Sequence, residues 1–267
     1  MSNASGSSEV NRISTGITGL DVLLQGGFLP GRSYLVTGDP GTGKTTACMQ
    51  FLLAGLQQGE KSVCVTVNER PAEILQSAAS LDWDLQKYVH DKSLVILDAS
   101  PYFSGGAASM GEKGIDVSRF ITDLADYANK LNVKRLTIDP ITPLILSRDP
   151  SSPIQEGART LIHLLQTHFT TTNILTSHVL NRANHDSSQG TEEFLASGVI
   201  VLGIDATKER VVRSLRVKKM RATAVEPCEV LFNISKKQGI SLLSPEQKPV
   251  VVHGESLPLE FFELPKE

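Results

Sequence analysis

The nine residues GDPGTGKTT, Gly38 to Thr46, constrain this chain more than any other stretch in it. Glycines 38, 41 and 43 leave the backbone bare, so successive N–H groups can converge on one anion with no side chain in the way. Just before them, Ser33 to Thr37 is an apolar run of strand length. Just after, from Thr45 to Gln58, Ala47, Phe51, Leu52 and Leu56 recur at helical spacing and stop at Gly59. A strand passing through a glycine turn into a helix N-terminus is the context in which G-x-x-x-x-G-K-[ST] cradles phosphate. Gly38, Asp39, Pro40, Gly41, Thr42, Gly43, Lys44, Thr45 and Thr46 are therefore expected to surround a nucleoside triphosphate. Lys44 reaches its β- and γ-phosphates, and the Thr45 hydroxyl is offered to Mg2+.

A site of this kind needs an acid at the end of a second strand. KRLTIDP, Lys134 to Pro140, places Asp139 directly after the apolar Leu136 and Ile138. Ligands of parallel sheets collect at the carboxyl ends of strands, so Asp139 is expected beside Thr45 and the metal. Another strand, Ser62 to Val67, runs out into Asn68, Glu69 and Pro71, which makes Glu69 a candidate to orient water. The guanine-reading pattern N-K-x-D is missing, since Asn129-Lys130-Leu131-Asn132 lacks the acid, and ATP is the expected nucleotide.

The remaining periodicities predict strands over 93–97, 135–138, 172–176 and 199–202, and helices over 71–80, 117–131 and 154–169, with Ile121, Leu124, Ala125 and Ala128 on one helical face. A short helix through Leu24 is expected to be capped by Thr15 or Thr18. Strands that alternate with helices form a parallel sheet with right-handed crossovers. From 211 the pattern changes to antiparallel strands, the last two closing a hairpin around Gln238 and Gly239. The expected fold is thus α/β: a mostly parallel twisted sheet flanked by helices, with C-terminal antiparallel strands. Residues 1–10 are expected to be a disordered start, 11–243 one domain, and the Pro- and Glu-rich 244–267 a tail or docking segment.

Among 267 residues, 40% are hydrophobic and 21% charged, as in an ordinary soluble domain. The net charge of −3 offers no global field for nucleic acid. Three isolated cysteines suggest a reducing compartment, not a disulfide framework. No apolar run approaches bilayer length and the polar start resembles no signal peptide, so a cytoplasmic location is the default expectation.

Five stretches together resemble the KaiC-like branch of the RecA superfamily of ATPases: ISTGITGLDVLLQGGFLPG, VTVNERP, ASLDWDL, TIDPIT and VKKMRATAV. The resemblance covers roughly residues 11–243 and implies a RecA-like P-loop core, ATP with Mg2+, and a homo-hexameric ring with ATP at each subunit interface. It implies that Lys219 and Arg221 reach the γ-phosphate from the neighbouring subunit, with Met220 and Thr223 close by, and that Ser80 lies near the base. Where the family pattern has two adjacent glutamates, this chain has Asn68 and Glu69, which points to slow hydrolysis. A second phosphate loop is missing, so nothing carries over from a second ATPase domain. The implied role is a module in signalling or circadian-type timing with protein partners. The alternatives are a DNA-dependent ATPase of the RecA/RadA kind and a scaffold gated by ATP with little turnover.

RVKKMR concentrates Arg216, Lys218, Lys219 and Arg221 on what reads as an exposed edge strand, where alternation puts 217, 219 and 221 on one face. The polar stretch 176–198, with Ser177, His178 and His185, is expected to face a ring channel, with Ser177 or His178 sensing phosphate. Its Arg182, and Arg148 in a second loop, are opposed by Asp149, Asp186, Glu192 and Glu193, and aromatic platforms for single strands are lacking there. DNA is therefore not the expected partner. Trp83 is read as a packing residue, and the two histidines have no third ligand for zinc.

Overall fold

The computed structural model describes residues 11–99, 117–146, 154–177, 196–206, 211–226 and 228–243. The expectations for the termini, Arg148, Asp149, and 178–195 with His178, Arg182, His185, Asp186, Glu192 and Glu193 lie outside the described residues.

The strands are β1 (Ser33–Gly38), β2 (Lys61–Thr66), β3 (Leu94–Asp98), β4 (Val133–Asp139), β5 (Thr172–Ser177), β6 (Gly198–Ala206), β7 (Val211–Met220), β8 (Glu229–Ser235) and β9 (Gly239–Leu242). They form one sheet in the order β3-β2-β4-β5-β1-β6-β7-β8-β9. The pairs from β3 across to β6 are parallel, and β6/β7, β7/β8 and β8/β9 are antiparallel. This is the mostly parallel sheet with antiparallel C-terminal strands that the sequence predicts. Every residue of β1 is buried, as expected of a strand covered on both faces.

The helices are α1 (Leu20–Leu23), α2 (Lys44–Leu56), α3 (Pro71–Ser80), α4 (Gln86–His90), α5 (Val117–Lys130), α6 (Thr142–Leu146) and α7 (Ile154–His168). The short α4 and α6 are additions to the sequence reading, since five residues carry too little periodicity to announce a helix. One core cluster packs α2, α3 and α4 on one face of the sheet, with Val36, Phe51, Leu52, Ile200, Leu215 and Phe232. The second packs α5, α6 and α7 on the other face, with Leu35, Val63, Leu124, Leu136, Leu161 and Val199. In α5 the residues Val117, Ile121, Leu124, Ala125 and Ala128 are buried, the face predicted from spacing. On its outer face Arg119 and Asp123 sit 3.8 Å apart, both exposed, a pair that contributes little.

α1 departs from expectation. Its N-cap is Gly19 at φ 88° with no side-chain cap, because the Thr15 N–H and hydroxyl both donate to Asp21 Oδ1 instead, at 2.8 and 2.6 Å. Trp83 does pack: it is buried, and its indole N–H donates to Lys237 O at 2.8 Å. Cys48, Cys64 and Cys228 are all free thiols. No helix among the described residues is long and apolar enough to cross a membrane.

α2 is buried on nearly every side, because the N-terminal segment and the β8–β9 hairpin cover what the sheet does not. Gln50 ties the three together: its amide nitrogen donates to Gly16 O at 2.7 Å and to Gln238 O and Ile240 O at 3.0 Å, and its oxygen accepts from Ile240 N at 2.8 Å. Arg135 of β4, 1% exposed, does the same from beneath. It pairs with Glu60 at 2.6 Å, donates to Ser14 O and Phe51 O, and lies over the Phe51 ring. Removing one partner of a buried pair leaves the other charge desolvated and unmatched. Glu60→Gln is accordingly expected to lower stability by about 3 kcal/mol, the low end for such a lesion because Glu60 is partly exposed. A shift of the urea midpoint at unchanged m value measures it.

Candidate nucleotide site

β1 ends at Gly38 and α2 begins at Lys44, so the phosphate loop is the turn between them, as the sequence requires. Gly43 is the N-cap of α2 at φ 105°, and a Cβ there would stand 2.9 Å from Ile234 Cδ1. Only glycine combines that backbone with that neighbour. The Thr42 hydroxyl is buried and donates to Asp39 O at 2.8 Å, so it shapes the loop. Lys44 Nζ donates to Gly38 O at 2.8 Å and Asp39 O at 3.0 Å. Desolvation pulls its pKa down, and the charges of Asp139 and Asp39 work against that shift. A phosphate entering the loop would meet an ammonium already held at its floor by two exchangeable carbonyls.

The loop opens on a cleft of about 380 Å3 lined by Pro40, Gly41, Gly43, Lys44, Thr45, Thr46, Thr66, Asn68, Glu69, Asp139, Pro140 and Ile234. β4 and β2 are neighbours in register, Thr66 beside Asp139, and this brings the two acids to one wall. Asp139 Oδ1 accepts a hydrogen bond from the Thr176 hydroxyl. Glu69 is half-buried and its carboxyl pKa is raised, first by desolvation and then by the charges of Asp139 and Glu73. Asn68 is exposed at the cleft margin. Two of the predicted acids thus share one cavity with Lys44 and Thr45.

No cluster of three or more His, Cys, Asp or Glu side chains suited to a metal occurs among the described residues. Mg2+ is commonly held by one or two carboxylates, waters and substrate phosphates. Thr45 and Asp139 offer a hydroxyl and a carboxylate to one cleft, so the donor set fits. When bound there, the cation would neutralise charge on the phosphates.

Other predicted residues lie elsewhere. Ser80, at the end of α3, is exposed, donates to Ser77 O at 2.7 Å, and is not part of the cleft wall. Ser177 is buried beside Thr37, and by the period of two it lies on the sheet face opposite that of Thr176. Lys219 pairs with Val199, which neighbours Leu35, whereas Gly38 at the phosphate loop neighbours Leu202. Arg221 N donates to Ser197 O at 2.7 Å, further from the loop still. From Ser197 to Leu202 the strand runs roughly 16 Å, so Lys219, Met220 and Arg221 stand at the opposite end of the sheet from their own cleft. The Thr223 hydroxyl accepts from Arg12 at 3.1 Å, which ties this corner to the N-terminal segment.

The expectation of an exposed edge is corrected: β7 lies between β6 and β8. β8 pairs only as far as Arg216, so the stretch from Val217 onward has a partner on one side alone among the described pairings. The expected alternation fails as well. The register with β6 shifts between Val199, opposite Lys219, and Ile200, opposite Val217, which leaves Lys218 as the extra residue of a bulge. Val217 therefore shares the α2 face with Ile200, and Lys219 shares the other face with Val199.

The cleft wall also contains Thr66, Pro140 and Ile234, which the sequence reading did not assign. Thr66 could have been suspected as the last strand residue before Asn68 and Glu69. Nothing local marks Ile234, which arrives from the far end of the chain.

A phosphate loop after β1, an acid at the end of β4 with β5 between the two strands, and this strand order define a P-loop NTPase of the RecA-like class. Comparison with known proteins narrows this further. The profile described as "ATPase: KaiC" matches residues 13–247, and the chain belongs to the KaiC ATPase family. It is 34% identical over 256 residues to a UPF0273 protein of Methanopyrus kandleri, covering 92% of this chain and 97% of that one. It is 34% identical over 234 residues to the circadian clock oscillator protein KaiC of Picosynechococcus, covering 87% of this chain but 44% of the relative, so it spans less than half of that protein. The crystal structure of a KaiC-like protein from Pyrococcus horikoshii superposes with a TM-score of 0.73 at 33% identity, covering 88% of this chain and all of that one.

Proposed function

We propose that this protein binds Mg·ATP in the cleft and hydrolyses it slowly as a ring-forming module of signalling or timing type. The observation that carries this reading is the convergence of Lys44, Thr45, Glu69 and Asp139 on one cavity at the phosphate loop. Lys44 holds the β- and γ-phosphates, Thr45 and Asp139 hold the cation, and Glu69 orients water toward the γ-phosphate with Asn68 beside it. The half-buried setting of Glu69 supports its choice over the exposed Asn68, because a desolvated carboxylate is the better base.

Among the described residues, Lys44 is the one cation in the cleft wall. Lys219 and Arg221 are too distant to supply another in their own subunit. Placed at the other end of the sheet, they suit a head-to-tail contact in which each subunit completes its neighbour's cleft, and such contacts form a ring when the rotation between subunits closes. Molecular sizing and phosphate release, each with and without ATP and single-stranded DNA, test the reading. ATP-dependent assembly with slow release unaffected by DNA is expected. A many-fold stimulation by DNA with steep salt dependence would transfer the protein to the DNA-dependent class. Assembly without any release over hours would make it a scaffold. Lys44→Ala is expected to lower release by at least about 10²-fold, since it removes the preorganised charge under the phosphates.

A further inference from the structure

Thr66, Asp139 and Thr176 stand side by side across β2, β4 and β5, on the sheet face that packs against α2. Thr66 pairs with Asp139 in the β2/β4 register, and Ile138 pairs with Leu175 one step earlier in β4/β5. Both threonines are fully buried, at 1% and 0% exposure, and each spends its hydroxyl on a carboxylate residue of the cleft. The Thr176 hydroxyl donates to Asp139 Oδ1. The Thr66 hydroxyl donates to Glu69 O at 2.7 Å and accepts from Glu69 N at 3.3 Å. These bonds fold the chain back just after β2, and they fix the residue that carries the Glu69 carboxylate while Asn68 stays exposed. Because threonine is stiff at χ1 and both side chains are packed, each hydroxyl has little freedom to point elsewhere.

We propose that Thr66 and Thr176 are positioning residues for the two acids of the cleft: Thr176 fixes the Asp139 carboxylate that holds the cation, and Thr66 fixes the turn that aims Glu69 at water. This rests on the Mg·ATP reading above. With Oδ1 held by a hydroxyl, Asp139 is presented in one orientation with its other oxygen left for the cation. Outer partners of this kind are typically worth 10–100-fold in metal affinity or activity. Among the described residues the Glu69 carboxylate has no hydrogen bond that would aim it, so the backbone turn sets its direction, and a displacement of about 1 Å at a reacting group can cost about 10²-fold in rate.

The two threonines predict different lesions, which a general loosening of the sheet would not produce. The probe is mant-ADP fluorescence, titrated in EDTA and in Mg2+, alongside phosphate release from ATP. Thr176→Val is expected to leave affinity in EDTA unchanged and to reduce the gain from Mg2+ by about tenfold, with Thr176→Ser restoring it to within about twofold. Thr66→Val is expected to keep both affinities and lower turnover at saturating Mg·ATP by at least about tenfold, again rescued by serine. If a valine beside the carboxylate prevents folding, the smaller Thr176→Ala is measured in its place and is expected to show the same loss of Mg2+ gain. An undiminished Mg2+ gain in Thr176→Val or Thr176→Ala overturns the Thr176 assignment, and wild-type turnover in Thr66→Val overturns that of Thr66. Equal losses in EDTA and Mg2+ mark a merely structural role and overturn it too. Wild-type protein that binds no mant-ADP at all would instead sink the nucleotide reading, and the inference with it.

Discussion

Arg221→Ala is expected to lower ATP turnover by about 10³-fold, and mixing it with a second inactive variant is expected to restore part of it. The loss is that expected when a cation is withdrawn from the γ-phosphate in the transition state. The recovery follows from where the structure puts Arg221. It lies past the β6 residues that neighbour the start of β1, while the phosphate loop lies past the end of β1, so on the proposed reading the arginine serves a neighbour's cleft. Arg221→Ala subunits keep an intact cleft, and Glu69→Gln subunits keep an intact arginine. In a one-to-one mixture half the clefts and half the cations are sound, so about a quarter of interfaces are complete if subunits assort at random. Phosphate release at a quarter of the wild-type rate is therefore expected from two inactive proteins. No recovery at any mixing ratio, with mixed assemblies shown by sizing, would return the arginine to a role within its own subunit and remove the head-to-tail arrangement. Lys219→Ala belongs to the same test, but the bulge at Lys218 sets its direction, and a smaller loss than that of Arg221→Ala would place it at the margin.

What could be read from the sequence was whatever is local in the chain. Gly38 to Thr46 declare a strand, a tight turn and a helix within a few residues, and β1 and α2 form as that pattern requires. The apolar face of α5 is likewise written at a period of 3.6 residues. Lateral order across the sheet is not local. That β4 lies between β2 and β5, so that Asp139 has a threonine on either side, depends on residues 37 and 73 positions away in the chain. Hence Ser177 drew attention as the polar end of β5, while Thr176, one residue earlier and on the opposite face, makes the contact with Asp139. Strict alternation also failed at Lys218, because one inserted residue exchanges the faces of everything after it, and a bulge has no signature in VRSLRVKKM. Ile234 shows the same limit: its place over Gly43 is fixed by Gln50, which pins the hairpin to α2 by bonds spanning about 190 residues.

Glu69→Gln is expected to reduce turnover by between about 10² and 10⁴-fold, the range for loss of a general base. Glutamine keeps the shape and can still accept a hydrogen bond, so the change removes proton affinity rather than positioning. The neighbouring Asn68 gives the complementary result. It is exposed at the cleft margin, and its amide can hydrogen-bond water but cannot take a proton. Asn68→Glu adds a carboxylate beside two others, and its repulsion raises the proton affinity of Glu69 further in the direction that burial and Asp139 have already moved it. Turnover in Asn68→Glu is expected to rise by about tenfold. The double variant Asn68→Glu/Glu69→Gln decides which position is the base. If it stays as slow as Glu69→Gln, position 69 holds the base. If it recovers to the Asn68→Glu rate, the base belongs at position 68, where this chain holds an amide in place of a carboxylate.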